Sequence, residues 1–503
     1  MSLAERIEVV AQRLPEKVAF RTESDDVSFA EFDDRASRIA GAFLQLGVAP
    51  GDRVALMAGS NPEFVASLVA TWKVGAVFVA INAQLGPEEV LYQLQNSEPK
   101  VVLADPGRCR EVIDAVASQV SSIQHVATAG DLRGDPVRAL AVDPGSDATI
   151  FYTSGTTGVP KGATHTHRAL TVQLDMVRDR FAMTSDDVFL SVLPIYLLSI
   201  LVLGPLTALT LGSTCRVMTK YDAAEFARHV RQDRTTSIGA SIPMMFADLL
   251  ALPAEVADGV DLSSIRVANC GGSPMPPEIR KGFEERYGFR FIHAYGGTEG
   301  PVMVSTDPVD RPRNFDSVGV PYPHIKVTIV DDEDQELPTG SVGEICTSAY
   351  ETGPYAGMYE PIRCYWGMPD QTATALRGGR LHWGDIGYLD EDGYLFLVDR
   401  KTDMIIRGGM NVYPKEIEGL LYEDSRIAEC AVVSADHQRY GEVPFAFVRP
   451  APGVTISEDE VKSLVNSRAA RFKHLEGVML VEDFPRNALG KILKRDLRDQ
   501  LRS

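Results

Sequence analysis

Between Ala148 and Gly162 a strand-like run empties into a turn rich in glycine and hydroxyl groups, and few folds accommodate such a junction. Ala148 to Tyr152 is β-branched and aromatic, which predicts a buried strand. The eleven residues Tyr152-Thr-Ser-Gly-Thr-Thr-Gly-Val-Pro-Lys-Gly162 then carry three glycines, four aliphatic hydroxyl residues and one lysine. Gly155 and Gly158 let the backbone turn tightly, so that successive N–H groups converge on an anion. The hydroxyls of Thr153, Ser154, Thr156 and Thr157 add donors, and Lys161 adds a mobile point charge. A loop so equipped suits phosphate. The pattern G-x-x-x-x-G-K-[ST] cannot be laid on it, so it is not the common P-loop.

The flanking chain predicts the layers that deliver such a loop. Ser28-Phe-Ala-Glu31 is a capping box ahead of a helical pattern running to about Leu46. Val54 to Met57 reads as a strand, Asn61 to Lys73 as a helix, Ala76 to Ile81 as a strand, a helix starts at Pro87, and Val101 to Ala104 is the next strand. Beyond the loop, helical patterns (Asp222–Gln232, Pro276–Tyr287) alternate with short strands (Ser237–Ala240, Arg266–Asn269, Phe291–Ala294). This alternation predicts α/β layering with mostly parallel strands. From about Ser317 short strands and turns predict a small β-barrel. At 503 residues the chain exceeds one core. The expected architecture is an α/β multidomain protein: a large domain over 1–399, with two layered sheets and the barrel, and a smaller α+β domain over 400–503.

Composition excludes several partners. A formal net charge of −19 argues against nucleic acid and anionic membranes, while leaving room for a local basic pocket. The six cysteines are scattered without metal spacing, which suits reduced thiols in a cytoplasmic protein. Met1 to Leu14 mixes charged and apolar residues and reads as an amphipathic helix. Val188 to Cys215 contains no charged residue but is interrupted by Pro194, Gly204, Pro205 and Gly212, and reads as buried core rather than a membrane span.

The stretch Tyr152–Gly162 resembles the phosphate-loop signature of the adenylate-forming superfamily, which holds acyl-CoA synthetases, adenylation domains of peptide synthetases and luciferases. Further segments in the family's order extend the resemblance over nearly the whole chain, with the acyl-CoA synthetase branch as the reading. Gly271-Gly-Ser-Pro274 is similar to the segment lining the adenine, implying contacts from Gly271, Gly272 and Ser273. Tyr295-Gly-Gly-Thr-Glu299, after a strand ending in His293 and Ala294, matches the Tyr-Gly-x-Thr-Glu signature. It implies Tyr295 against adenine, Gly296 and Thr298 at phosphate, and Glu299 with Thr153 as Mg²⁺ ligands. His382-Trp-Gly-Asp-Ile-Gly-Tyr388 resembles the ribose segment, which makes Asp385 the ribose anchor and Arg400 a second contact. Arg407-Gly-Gly-Met-Asn-Val-Tyr-Pro414 resembles the loop over the pantetheine arm of CoA, implicating Arg407, Gly408 and Gly409. Pro485 to Leu493 resembles the terminal Gly-Lys motif, with Lys491 as the catalytic lysine.

The resemblance implies an enzyme that joins a carboxylic acid to AMP from ATP, then passes the acyl group to the CoA thiol. It also implies a mobile C-terminal domain. The acyl pocket is expected around Tyr196, Leu197, Ser241, Gly297 and Met303, and its apolar lining suits a bulky or aromatic acid. Two positions depart from the family pattern. Leu197 stands where Leu-Pro-x-Phe-His has histidine, and Thr402 stands at the hinge where Asp or Lys is usual. These departures leave open a ligase that mainly converts a preformed acyl-adenylate supplied by a separate adenylating enzyme. A carrier-protein thiol acceptor and a homodimer are also left open.

Overall fold

The computed structural model describes residues 1–153, 159–253, 259–271, 277–288, 291–486 and 492–502. Ser154, Gly155, Thr156, Thr157, Gly158, Gly272, Ser273 and Lys491 lie outside these described residues. The chain divides into two compact units. One comprises Met1–Lys326 with Thr347–Leu381, the other Val327–Cys346 with His382–Ser503.

The first unit contains two large sheets. Among the described residues one has seven strands, in the order Cys364–Tyr365, Lys161–Thr166, Asp147–Thr153, Val77–Ile81, Arg53–Met57, Val101–Ala104 and His125–Ala127. Its central strands run parallel. Val77–Ile81 and Val101–Ala104 are buried at every position, as expected for strands covered by helices on both faces. Asn61 caps the helix Pro62–Lys73, its side chain accepting from the Phe64 N–H, with proline in the first turn. Ser28 and Glu31 close the expected capping box on Phe29–Gln45. The Trp72 indole donates to the Ala148 carbonyl (2.9 Å), which seats that helix on the strand leading to the glycine-rich loop.

The second sheet of this unit has nine strands, ordered Val320–Pro321, Ser305–Thr306, Ile292–Tyr295, Val267–Cys270, Ser237–Ser241, Val188–Ser191, Thr214–Val217, Val18–Arg21 and Asp26–Ser28. The stretch from Val188 to Cys215 becomes a strand, a helical segment and another strand, nearly all of it buried. Its helix loosens into a π-turn over Val202–Leu206 around Pro205, whose missing N–H removes one helical hydrogen bond. Charges flank this stretch at both ends and are paired: Asp187 with Arg266 and Arg216 with Asp233. No described helix is long and apolar enough to cross a membrane.

In the second unit, the short strands expected as a barrel pair in the order Lys326–Val330, Gly343–Ser348, Leu381–Leu389 and Leu395–Arg400. Helix Pro414–Tyr422 packs on Leu395–Arg400. These strands therefore fall with the C-terminal segment, whereas the sequence reading drew its domain line at 399. A five-stranded sheet built on Ile427–His437 and Gly441–Pro450 completes the unit, followed by helix Lys494–Arg502.

Candidate active site

The candidate residues of the first unit stand at the carboxyl ends of strands, where open α/β sheets place ligands. Thr153 ends Asp147–Thr153 and faces Lys161 across the antiparallel register. Ser241 ends Ser237–Ser241, Gly271 follows Val267–Cys270, and Tyr295 ends Ile292–Tyr295. The loop after Ile292–Tyr295 meets the first sheet here: the Thr153 hydroxyl donates to Glu299 Oε1 at 3.2 Å.

Glu299 is held from several sides. The Tyr365 hydroxyl donates to the same oxygen at 3.1 Å, and the Ile362 N–H donates to the Glu299 carbonyl at 2.7 Å. His165 Nε2 lies 2.7 Å from the Thr298 carbonyl. Burial pushes His165 down to about 4, so the ring is neutral at pH 7 and donates from Nε2. Burial, reinforced by the Glu299 charge, pushes the Tyr365 phenol far up. It therefore stays protonated and remains a donor. Lys161 Nζ lies 5.1 Å from the centre of the Tyr365 ring, and no described carboxylate pairs with it.

The backbone around Glu299 is tight. A Cβ on Gly296 would stand 2.0 Å from the Val302 carbonyl, so glycine is required there. Val302 has φ of 92°, a region that costs a β-branched residue on the order of 1–3 kcal/mol. Strain of this kind persists only where surrounding packing enforces it. Met303 is buried and accepts a hydrogen bond from the Tyr322 hydroxyl through its sulfur. Gly271 donates to the Ser241 carbonyl, and its absent Cβ lets Ala294 O approach. His293 is tied by its N–H to Asp307 (3.0 Å).

The expected acyl-pocket residues differ in what their polar groups do. The Ser241 hydroxyl donates to the Asn269 carbonyl at 2.6 Å and is thereby occupied. The Tyr196 hydroxyl is buried with no partner among the described residues. Leu197 is half-buried at the start of the short helix Leu198–Leu201.

In the second unit, Asp385 and Arg400 face each other in the strand register, with Arg400 Nε 3.1 Å from Asp385 Oδ1. Gly408 and Gly409 have φ of 60° and 87° and form the two-residue turn between Ile405–Arg407 and Met410–Val412. That turn alone accounts for both glycines. The Arg407 guanidinium donates to His474 O (2.7 Å), pairs with Glu476 (3.1 Å) and covers the Tyr440 ring. Arg498 reaches Asp403 (3.1 Å) and the Thr402 carbonyl (3.5 Å).

Sequence reasoning assigned no role to Tyr365, Ile362 or His165. Tyr365 and Trp366 were visible only as an aromatic pair following a segment rich in Gly, Pro and Tyr. His165 lies on the strand Lys161–Thr166 and His167 opens the helix after it; both are buried and read as core.

A carboxylate, a lysine and hydroxyl donors gathered at the carboxyl ends of parallel strands define an enzyme of the nucleotide-using α/β class. The AMP-binding enzyme family matches residues 7–354 and the AMP-binding enzyme C-terminal domain matches residues 416–491. The chain belongs to this family and is an enzyme of its acyl-CoA synthetase branch. It is 33% identical to a feruloyl-CoA synthase of Amycolatopsis sp, over 97% of this chain and 96% of that protein. It is also 33% identical to an indoleacetate–CoA ligase of Aromatoleum aromaticum, over 99% of this chain and 98% of that one. The crystal structure of ATP-bound MatB from Rhodopseudomonas palustris superposes with a TM-score of 0.89 at 29% identity, over 99% of each chain. The family implies ATP and CoA as co-substrates.

Proposed function

We propose that the chain is an AMP-forming acid–CoA ligase for a bulky hydrophobic or aromatic carboxylic acid. The acid would attack the α-phosphate of ATP to give acyl-AMP and pyrophosphate, and the CoA thiol would then displace AMP. The observation that carries this reading is the placing of Lys161 over the Tyr365 ring and of Glu299 at its hydroxyl, a cation and an anion with no ion pair between them. A nucleotide triphosphate needs both: a cation for its phosphate oxygens and an anion for its divalent metal.

The donor set fits Mg²⁺, since Glu299 Oε2 has no hydrogen-bond partner among the described residues and the Thr153 hydroxyl stands beside the same carboxylate. When bound, Mg²⁺ would supply charge neutralisation on the phosphates. Lys161 is placed to hold phosphate, and Thr298 and Gly296 keep the neighbouring backbone in place. Asp385 and Arg400 are proposed for ribose, Arg407 to Gly409 for the pantetheine arm, and Thr402 for the hinge of a mobile C-terminal domain spanning 400–503. Lys491 is proposed to bridge the carboxylate and the α-phosphate, two anions that otherwise repel. Lys491→Ala is expected to slow acyl-adenylate formation by roughly 10²–10³ or more.

An aromatic or bulky acid is supported by the apolar surroundings of Tyr196 and Met303 and by the aromatic acids in the names of both relatives. A second reading is favoured by Leu197, which offers no polar atom to the acid: the chain would mainly convert a preformed acyl-adenylate to its CoA thioester. Mass spectrometry of two parallel reactions separates them. One contains acid, ATP, Mg²⁺ and CoA over a panel of bulky acids; the other contains synthetic acyl-adenylate and CoA. Thioester in both is the expected result. Thioester only from the adenylate would replace the first reading with the second.

A further inference from the structure

The Glu299 carboxylate is oriented by a strand that arrives 66 residues later in the chain. Cys364 and Tyr365 pair antiparallel with Thr164 and Ala163 at the edge of the seven-stranded sheet. The Tyr365 N–H donates to the Thr372 hydroxyl (2.9 Å), and the Trp366 N–H to the Gly162 carbonyl (2.8 Å). Upstream, the unusual Gly- and Pro-rich segment is fastened at three points. The buried Tyr359 hydroxyl bonds Thr347 (2.8 Å), Thr166 donates to Glu360 (2.7 Å), and Arg168 pairs with Glu360. These anchors leave the Tyr365 ring, only 7% exposed, little freedom.

A carboxylate turns about its terminal torsion through a broad, roughly two-fold well. Two hydroxyls on one oxygen remove that freedom. Thr153 and Tyr365 both donate to Oε1, which leaves Oε2 without a partner among the described residues. Both donors are uncharged, so they orient the group while leaving its negative charge available. A guanidinium in their place would cancel it.

Resting on the ligase reading above, we propose that Tyr365 is a positioning residue for the metal–nucleotide complex: its hydroxyl sets the Glu299 carboxylate in the orientation that receives a divalent cation. Its ring has a second part, seating Lys161 at a fixed distance from that carboxylate.

Calorimetric titration of the full chain with ATP, across a series of Mg²⁺ concentrations and again in EDTA, tests the assignment without relying on turnover. Tyr365→Phe keeps the ring and loses only the hydroxyl. It is expected to weaken ATP binding in Mg²⁺ roughly tenfold and to leave binding in EDTA and the unfolding midpoint unchanged. In a Glu299→Gln background the same substitution is expected to add nothing to the Mg²⁺ effect, because the group it orients is gone. Tyr365→Leu is expected to lose affinity in both conditions, through Lys161. An undiminished Mg²⁺ gain in Tyr365→Phe overturns the proposal, as does an equal loss with and without metal. Wild-type protein showing no Mg²⁺-dependent ATP binding would overturn the ligase reading along with it, so the two failures are told apart.

Discussion

Two lysines in the first unit sit in opposite electrostatic circumstances. Lys73 is fully buried and paired with Glu8 (3.1 Å) and Asp33 (2.8 Å). Its three charged groups tie helices Leu3–Arg13, Phe29–Gln45 and Pro62–Lys73 together. Lys161 has an aromatic ring beneath it and no described carboxylate beside it. The Glu299 carboxylate, at the hydroxyl of that ring, takes only hydroxyl donors among the described residues. The first region has completed its charge pairing internally and serves the fold. The second keeps a cation and an anion apart, and only a ligand bearing both signs completes it.

The contrast is broken most forcefully at Lys73. Lys73→Met would leave Glu8 and Asp33 without their cation, and stability should fall by about 3–5 kcal/mol. Urea unfolding followed by circular dichroism would read this, with ATP affinity of the folded protein unchanged. Lys161→Met should do the reverse. Nucleotide affinity is expected to fall about 10–100-fold, with the unfolding midpoint nearly unmoved because no buried partner is abandoned. A large stability loss there would show that Lys161 belongs to the fold after all.

Acid sharpens the comparison. His167 packs edge-on against Trp72 beside the Lys73 cluster, with ring centroids 5.6 Å apart. His165 supports the Glu299 loop. Burial lowers both to about 4, and His324 likewise. A histidine depressed in the folded state contributes stability that is fully present above its unfolded value, near 6.5, and is lost as pH falls towards 4. Each should add a slope of about 1.4 kcal/mol per pH unit within that window. His165→Gln and His167→Gln should each flatten the slope by one proton, measured by unfolding at pH 5 and 7, and only the former should also weaken Mg²⁺–ATP binding. The smallest effect is expected at Arg35 and Glu63, 2.9 Å apart and both exposed. Arg35→Ala should change stability by less than about 1 kcal/mol, a control for charge pairing without burial.

Most of the scaffold was legible from local pattern. The Ser28 capping box, the Asn61 cap, proline at 87 and the apolar runs at 77–81 and 101–104 placed their elements within a residue or two. Local rules suffice because capping and period act over a few residues. Thr153, Lys161 and Glu299 were singled out because each sits in a short motif with its own chemistry, and the structure brings Thr153 and Glu299 into contact. Tyr365 was not. A tyrosine acquires a role only through what lies across the fold, and Glu299 is far from it in sequence. How the strands before the charged run at 399 group was not legible for a related reason. A charged run marks a junction, but membership of the strands before it depends on pairing partners further along. The glycines at 408 and 409 show the opposite hazard, a motif residue whose presence a tight turn already explains.

The edge strand at Cys364–Tyr365 also sets a schedule. During synthesis the strand to Tyr295 and Glu299 itself are made before Tyr365, so Glu299 emerges with Thr153 as the one of its two hydroxyl donors already made. The sheet must wait, one edge unpaired at Lys161–Thr166, until some 200 further residues have been made (Thr164 meets Cys364). A nascent chain halted before that point would carry its nucleotide-facing residues in a loose array, with an open edge that invites pairing by the wrong strand. The strand that closes that edge is also the one that brings the Tyr365 hydroxyl to Glu299.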